Sequence, residues 1–151
     1  MNYTKRLILF LVINFSGLAI GSWLMNNGPQ SDWYNSLNQA PWTPPGWAFG
    51  VAWTIIMVCF SIYVSRLYTK IPTKKVITLF ALQFILNVIW NFVFFNQHLI
   101  TVGLLIIVLL TILIIYFFLE FNAIKTRYLL LPYIIWLCIA TSLNAYILIN
   151  N

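Results

Sequence analysis

The sequence predicts an all-α integral membrane protein, a bundle of five transmembrane helices forming one domain over residues 1–151. Three observations predict it. The chain is 62% hydrophobic and only 7% charged, too few charges to clothe the outside of a water-soluble domain of this size. Apolar runs without charge recur over residues 7–25, 47–65, 76–95, 99–119 and 128–149, each near the roughly 20 residues that span a ~30 Å hydrocarbon core. The eight Lys and Arg lie outside these runs and fall in alternate connections. Unbroken runs of this length also exclude a membrane β-barrel, whose strands alternate in polarity.

The first run follows Lys5 and Arg6, as the apolar part of a signal peptide would. It is longer than such a segment and lacks a small-x-small cleavage site, so a retained first helix is expected. Gly17 and Gly21 form a GxxxG within it, a spacing that lets another backbone approach closely. Gly46 and Gly50 repeat the spacing at the entry to the second run, where the first glycine also suits a turn. Cys59 and Cys138 each sit inside an apolar run and are expected to be buried, inert thiols.

Orientation follows from the cations. Lys5 and Arg6 precede the first helix, Arg66, Lys70, Lys74 and Lys75 follow the second, and Lys125 and Arg127 follow the fourth. The other connections and the C-terminal tail carry none. The positive-inside rule therefore predicts a cytoplasmic N-terminus and an extracytoplasmic C-terminus, as for insertion through an inner or plasma membrane. The formal charge of +6 does not indicate nucleic acid, because no basic stripe with interleaved aromatics lies in a polar segment.

The unusual chemistry begins in the connection 26–46 and runs into the second helix. WYNSLNQAPWTPPGWAFGVAW carries Trp33, Tyr34, Trp42, Trp47 and Trp53 with Pro41, Pro44 and Pro45. Prolines fix the backbone without needing a helix or a sheet ladder, and Trp and Tyr suit a membrane interface. An aromatic belt alone does not call for such stiffening, so a lid is expected. In the third helix Gln83, Asn87 and Asn91 recur every four residues beside Trp90, forming one stripe. Amides facing lipid tails are costly, so they point inward, either joining helices or lining a cavity. In the fifth helix Trp136, Ala140, Leu143 and Asn144 share a face, with Thr141 and Ser142 adjacent. Indoles beside small residues favour a pocket over a tight helix contact.

A rise of 1.5 Å per residue sets Trp53, Trp90 and Leu143 roughly 7 to 10 Å below the outer surface, with Asn87 and Ala140 at about 12 to 14 Å. One cavity beneath the lid would accommodate all of them. Apolar walls, indole faces and a few amides suit a flat, largely apolar ligand with polar edges, such as a tetrapyrrole or a sterol. Ordinary acid–base or nucleophilic catalysis finds no residues there: His98, Asp32 and Glu120 all lie outside the apolar runs, so neither a conventional catalytic site nor a metal cluster can be assembled.

PWTPPGWAFGVAWT, with WYNSLNQ just before it, resembles the signature of the translocator protein / tryptophan-rich sensory protein family, also called peripheral benzodiazepine receptors. NVIWNFVFFNQHLITVG and PYIIWLCIATSLNAYILINN resemble that family's third- and fifth-helix patterns, and the likeness covers essentially the whole chain. The resemblance implies a five-helix bundle, commonly a homodimer, whose pocket binds porphyrins such as protoporphyrin IX, cholesterol, and synthetic isoquinoline carboxamide and benzodiazepine ligands. Carried over by position, it implies a pocket lined by Tyr34, Phe49, Trp53, Asn87, Trp90, Trp136, Ala140 and Leu143. It also implies light-dependent breakdown of protoporphyrin IX in bacterial members, for which Trp53 and Trp136 are the candidates. No cofactor is required; protoporphyrin IX or a haem-like tetrapyrrole enters as ligand.

The family's proposed cholesterol motif is broken here. Leu143 and Tyr146 are followed by no Lys or Arg, which disfavours tight sterol recognition and shifts the expectation toward porphyrin. Two other classes of function remain open at this stage: a transporter of porphyrin, sterol or other amphipathic molecules, and a structural partner whose tryptophan loop docks another protein. Transport lacks an intramembrane ionisable residue to couple ions and an inverted repeat.

Overall fold

The computed structural model describes all 151 residues. Helix α1 spans Tyr3–Leu24, a short α2 Asp32–Ser36, α3 Gly46–Lys70, α4 Lys74–Asn91, α5 Ile100–Glu120 and α6 Leu131–Asn150. Five of these segments are long and apolar enough to cross a membrane, and there are no strands. The outward faces carry Ile, Leu and Val, among them Leu82, Ile85, Leu105, Leu109 and Ile112. An outside as apolar as the core is stable only against lipid, and helices are the elements that satisfy every backbone group without water.

The helices exceed the charge-free runs at the end of the bundle that carries the cations. α3 continues past Ser65 to Lys70, and α4 starts at Lys74. A charge ends an apolar run but not a helix, because long cationic side chains reach the interface from inside the last turn. Local chemistry fixes the ends. Asn2 Oδ1 accepts from the Lys5 amide at 3.0 Å, Thr73 Oγ1 caps α4 through the Val76 amide at 3.4 Å, and Asn26 leaves α1 at φ 54°, a left-handed stop that asparagine tolerates.

The chain packs as a ring: α1 touches α3 and α4, α5 touches α4 and α6, and α6 returns to α3. α3 is the most deeply set, with Ile56, Met57, Phe60, Tyr63, Val64 and Leu67 all enclosed. Polar groups inside the ring find partners across it. Asn14 Nδ2 donates to Ser61 Oγ at 2.8 Å, joining α1 to α3, and Gln83 Nε2 donates to the Tyr133 hydroxyl at 2.6 Å, joining α4 to α6. The amide stripe thus faces inward as expected.

The first GxxxG is a helix contact within the chain. A Cβ on Gly17 would lie 2.6 Å from Phe84 Cε2, and one on Gly21 would lie 2.8 Å from Asn91 Nδ2, so both glycines let α1 approach α4. Gly50 is the opposite case, with nothing within 4 Å of where its Cβ would stand.

Two expectations require correction. The connection 26–46 is not devoid of helix: a 3-10 turn over Gly28–Gln30, with Pro29 inside it, and α2 occupy its first half, because Ser31 accepts from the Tyr34 amide and caps a helical turn ahead of Pro41, Pro44 and Pro45. The cysteines are not buried thiols either. Cys138 is exposed on the outer face of α6 and Cys59 is partly exposed; in a membrane protein an apolar neighbourhood in sequence does not separate lipid-facing from core positions.

Gly17→Val is expected to destabilise the bundle by about 1–3 kcal/mol through overpacking against Phe84, whereas Gly50→Ala is expected to be neutral or stabilising by up to about 1 kcal/mol through helix propensity. Reversible denaturation of the two variants in detergent micelles checks the contrast, and equal losses would refute this account of the two glycines.

Candidate functional site: a cavity beneath the tryptophan-rich lid

A cavity of about 530 Å³ opens between α1, α3 and α4 at the lid end, within the range typical of small-molecule sites. Its α3 wall runs from Gly46 to Thr54, its α4 wall carries Asn87, Trp90 and Asn91, and its α1 wall carries Gly17, Leu18 and Ser22. From Gly46 to Trp53 the α3 wall descends about 10 Å at 1.5 Å per residue. Gly50 presents no side chain to this space, with nothing within 4 Å of where its Cβ would stand. Asn26, Asn27, Pro29 and Gln30 form the roof.

The amides on this wall, Asn87 and Asn91, and Asn144 of α6 behind it differ in what they bind. Asn91 Nδ2 donates to the Asn87 carbonyl at 2.9 Å and is folded against Gly21. Asn144 Nδ2 donates to the Ala140 carbonyl at 3.1 Å, and its Oδ1 accepts from Trp90 Nε1 at 3.4 Å. Asn87 is 94% buried by its 6% exposure, lines the cavity, and has no hydrogen-bond partner for its side-chain amide. Buried amides are normally satisfied, so a free one on a cavity wall is a ready contact for the polar edge of a ligand. Trp90, stacked on Phe94 at 5.7 Å and 8°, and Trp53, edge-on to Tyr133 at 5.8 Å, supply the flanking indoles.

Of the eight residues expected in the pocket, Phe49, Trp53, Asn87 and Trp90 line this cavity. The other four do not. Trp136 stands behind the wall, meeting Phe49 edge-on at 5.3 Å. Ala140 and Leu143 are buried within the bundle. Tyr34, part of the lid itself, is buried against Phe94 and Phe95. Depth along a helix axis brought Ala140 and Leu143 near the level of Trp53 and Trp90, but it does not say on which side of α3 each one lies; Tyr34 and Trp136 were expected there from the resemblance. The roof amides Asn26, Asn27 and Gln30 were not anticipated; their signal was an amide cluster immediately after the first helix.

The lid is fastened at both ends. Near α4 the Trp33 ring stacks on His98 at 4.0 Å and 8°, and Asn96 Nδ2 donates to the Leu24 carbonyl at 2.8 Å. A π-helical turn, Phe92–Asn96, follows α4 and turns both Phe94 and Phe95 inward beneath Tyr34, which the wider spacing of such a turn allows. At α6 the Asn151 amide grips the Asn38 backbone, accepting from its N–H at 2.9 Å and donating to its carbonyl at 3.2 Å. Trp42 Nε1 donates to Ser142 Oγ at 3.0 Å, and its ring meets Tyr146 edge-on.

Residues 9–149 match the model of the TspO/MBR family. The chain is a member of the TspO/MBR family. Relatives from distant organisms agree. It is 33% identical to the tryptophan-rich protein TspO of Chlorobaculum tepidum over 95% of this chain and 91% of that one. It is 31% identical to the tryptophan-rich protein TspO of Archaeoglobus fulgidus over 100% and 99%, and 30% identical to the protein CrtK of Rhodobacter capsulatus over 74% of each. As a TspO/MBR protein it is an integral membrane protein, and its own tryptophans include Trp33 and Trp42 in the lid and Trp47, Trp53 and Trp90 on the cavity wall.

Asn151→Ala removes both contacts to the Asn38 backbone. With net hydrogen-bond contributions near 1 kcal/mol each, the Asn38 amide is expected to exchange at least about tenfold faster. Hydrogen–deuterium exchange of residues 37–44 checks this, and an unchanged rate would show that this end of the lid is held by its other contacts, among them Trp42 on Ser142 and Tyr146.

Proposed function

We propose that this TspO/MBR protein is a membrane receptor or sensor that takes porphyrins, protoporphyrin IX first, and other flat apolar ligands into the cavity beneath its lid. The observation that carries this reading is Asn87: an amide without a protein partner, on the wall of a cavity that Trp53 and Trp90 also line and that is large enough for a small molecule. Planar apolar surface stacks on Trp53 and Trp90, while a carbonyl, carboxylate or pyrrole edge meets the amide. Isoquinoline carboxamides and benzodiazepines share that pattern of flat rings with one polar group and serve as competing probes. A homodimer, insertion in a bacterial plasma membrane and a cytoplasmic N-terminus complete the reading; the last is supported by the one-sided placement of the cations.

Light-dependent loss of bound porphyrin in air is a second activity of the same site. Trp53 is its first candidate, because it lies on the cavity wall. Trp136 is one ring removed, behind Phe49, and acts through that contact or after the wall rearranges. The alternative, a transporter of porphyrin, sterol or other amphipathic molecules, would be favoured by protein-dependent flux into proteoliposomes above that of empty vesicles.

Protoporphyrin IX is expected to quench the tryptophan fluorescence of the purified protein saturably in the dark. Asn87→Leu is expected to weaken binding by roughly 5- to 30-fold, the effect of losing one buried hydrogen bond of about 1–2 kcal/mol. Under illumination Trp53→Phe is expected to slow the loss of the porphyrin bands more than Trp136→Phe. Absence of saturable quenching in the wild type would overturn the porphyrin reading.

A further inference from the structure

At the opposite end of the molecule from the lid, α1 and α4 part to leave a groove of about 600 Å³ with entirely hydrophobic walls. Phe10 forms its floor, edge-on to Phe80 at 5.0 Å and to Tyr68 at 6.4 Å, and Ala81 and Phe84 form its α4 side. On α4 the groove runs from Ile77 to Ile85, a rise of about 12 Å, close to the depth of one leaflet of a ~30 Å hydrocarbon core.

The mouth of the groove is cationic and unpaired. Arg6 lies one turn before Phe10 on the same face of α1, with its guanidinium 5.6 Å from the centre of the Tyr68 ring. Its Nε is shut away from solvent and has no hydrogen-bond partner. Lys74 precedes Ile77 and Ala81 on one face of α4 and has no ion-pair partner. The acid at this end, Glu120, is engaged by Lys75, and Asp32, in α2 under the lid, is at the other.

We infer that this groove is a binding site for an anionic phospholipid of the leaflet at the cation-bearing end, with an acyl chain along Phe10, Ala81 and Phe84 and the phosphate between Arg6 and Lys74. An apolar channel one leaflet long that ends in unpaired cations at headgroup level has the complementarity of such a lipid. Charge also argues against a second copy of this chain as the occupant. Copies inserted in one membrane share orientation, so a symmetric contact through this face would bring Arg6 and Lys74 against their own counterparts at equal depth. The groove shares no lining residue with the cavity beneath the lid.

The test uses the full chain purified in mild non-ionic detergent, with phosphatidylglycerol and phosphatidylcholine of equal chain length as probes and native mass spectrometry as the readout. Wild type is expected to retain one phosphatidylglycerol per chain, preferred over phosphatidylcholine by on the order of tenfold. The double variant Arg6→Gln, Lys74→Gln is expected to bring the ratio near unity. Ala81→Phe, which fills the groove from a lipid-facing position, is expected to lower retention of both lipids. Unchanged helical circular dichroism confirms folding of each variant, and six cations remain to set orientation. Equal retention of the two lipids by wild type, or a preference that survives the double variant, would overturn the proposal. So would Ala81→Phe converting a dimer to a monomer while lipid retention stays the same.

Discussion

Lipid offers no hydrogen bonds, and this constraint organises the bundle. α4 carries Gln83, Asn87 and Asn91 at four-residue spacing, and any rotation that turned this stripe outward would leave amides among acyl chains. The stripe therefore fixes which face of α4 meets α1, α3 and α6. Gln83 is held by Tyr133 of α6, and Asn91 closes back on its own helix beside Gly21 of α1. Gln83 Oε1 stays without a partner in the interior, and neither atom of the Asn87 amide has one, where α3 stands off from α4 and a cavity remains.

Small residues decide whether two helices meet or separate. Gly17, Gly21 and Gly103 each face a side chain that a Cβ would strike, Phe94 lying 3.0 Å from the position of a Cβ on Gly103. Gly50 faces empty space. The same residue type thus serves close packing at three sites and a void at another. The void coincides with the indoles and the free amide, which is why the region reads as a binding site and not as a packing defect.

The lid's rigidity has two sources. Its second half is stiffened by Pro41, Pro44 and Pro45, while its first half is a short capped helix. Contacts distant in sequence hold both: Trp33 on His98, and Asn38 in the grip of Asn151. Those partners are polar or aromatic groups at the ends of other helices, and nothing in the loop's own composition names them.

The sequence by itself determined the five spans, the side of the cations, the inward direction of the amide stripe and membership of the tryptophan-rich grouping, because hydropathy, charge and a 3.6-residue period act along one helix at a time. It also identified Trp53, Asn87 and Trp90, whose positions follow from depth along their helices, while Phe49 came from the family resemblance. Only the tertiary structure decided that these four line one cavity while Tyr34, Trp136, Ala140 and Leu143 lie behind or beside it. It likewise decided that Cys138 faces outward, that a π-helical turn carries Phe94 and Phe95 inward, and that α1 and α4 open a groove at the cation-bearing end. Each of these depends on how helices rotate and space themselves against one another. That is set by side-chain packing among segments remote in sequence, which no single-helix periodicity encodes.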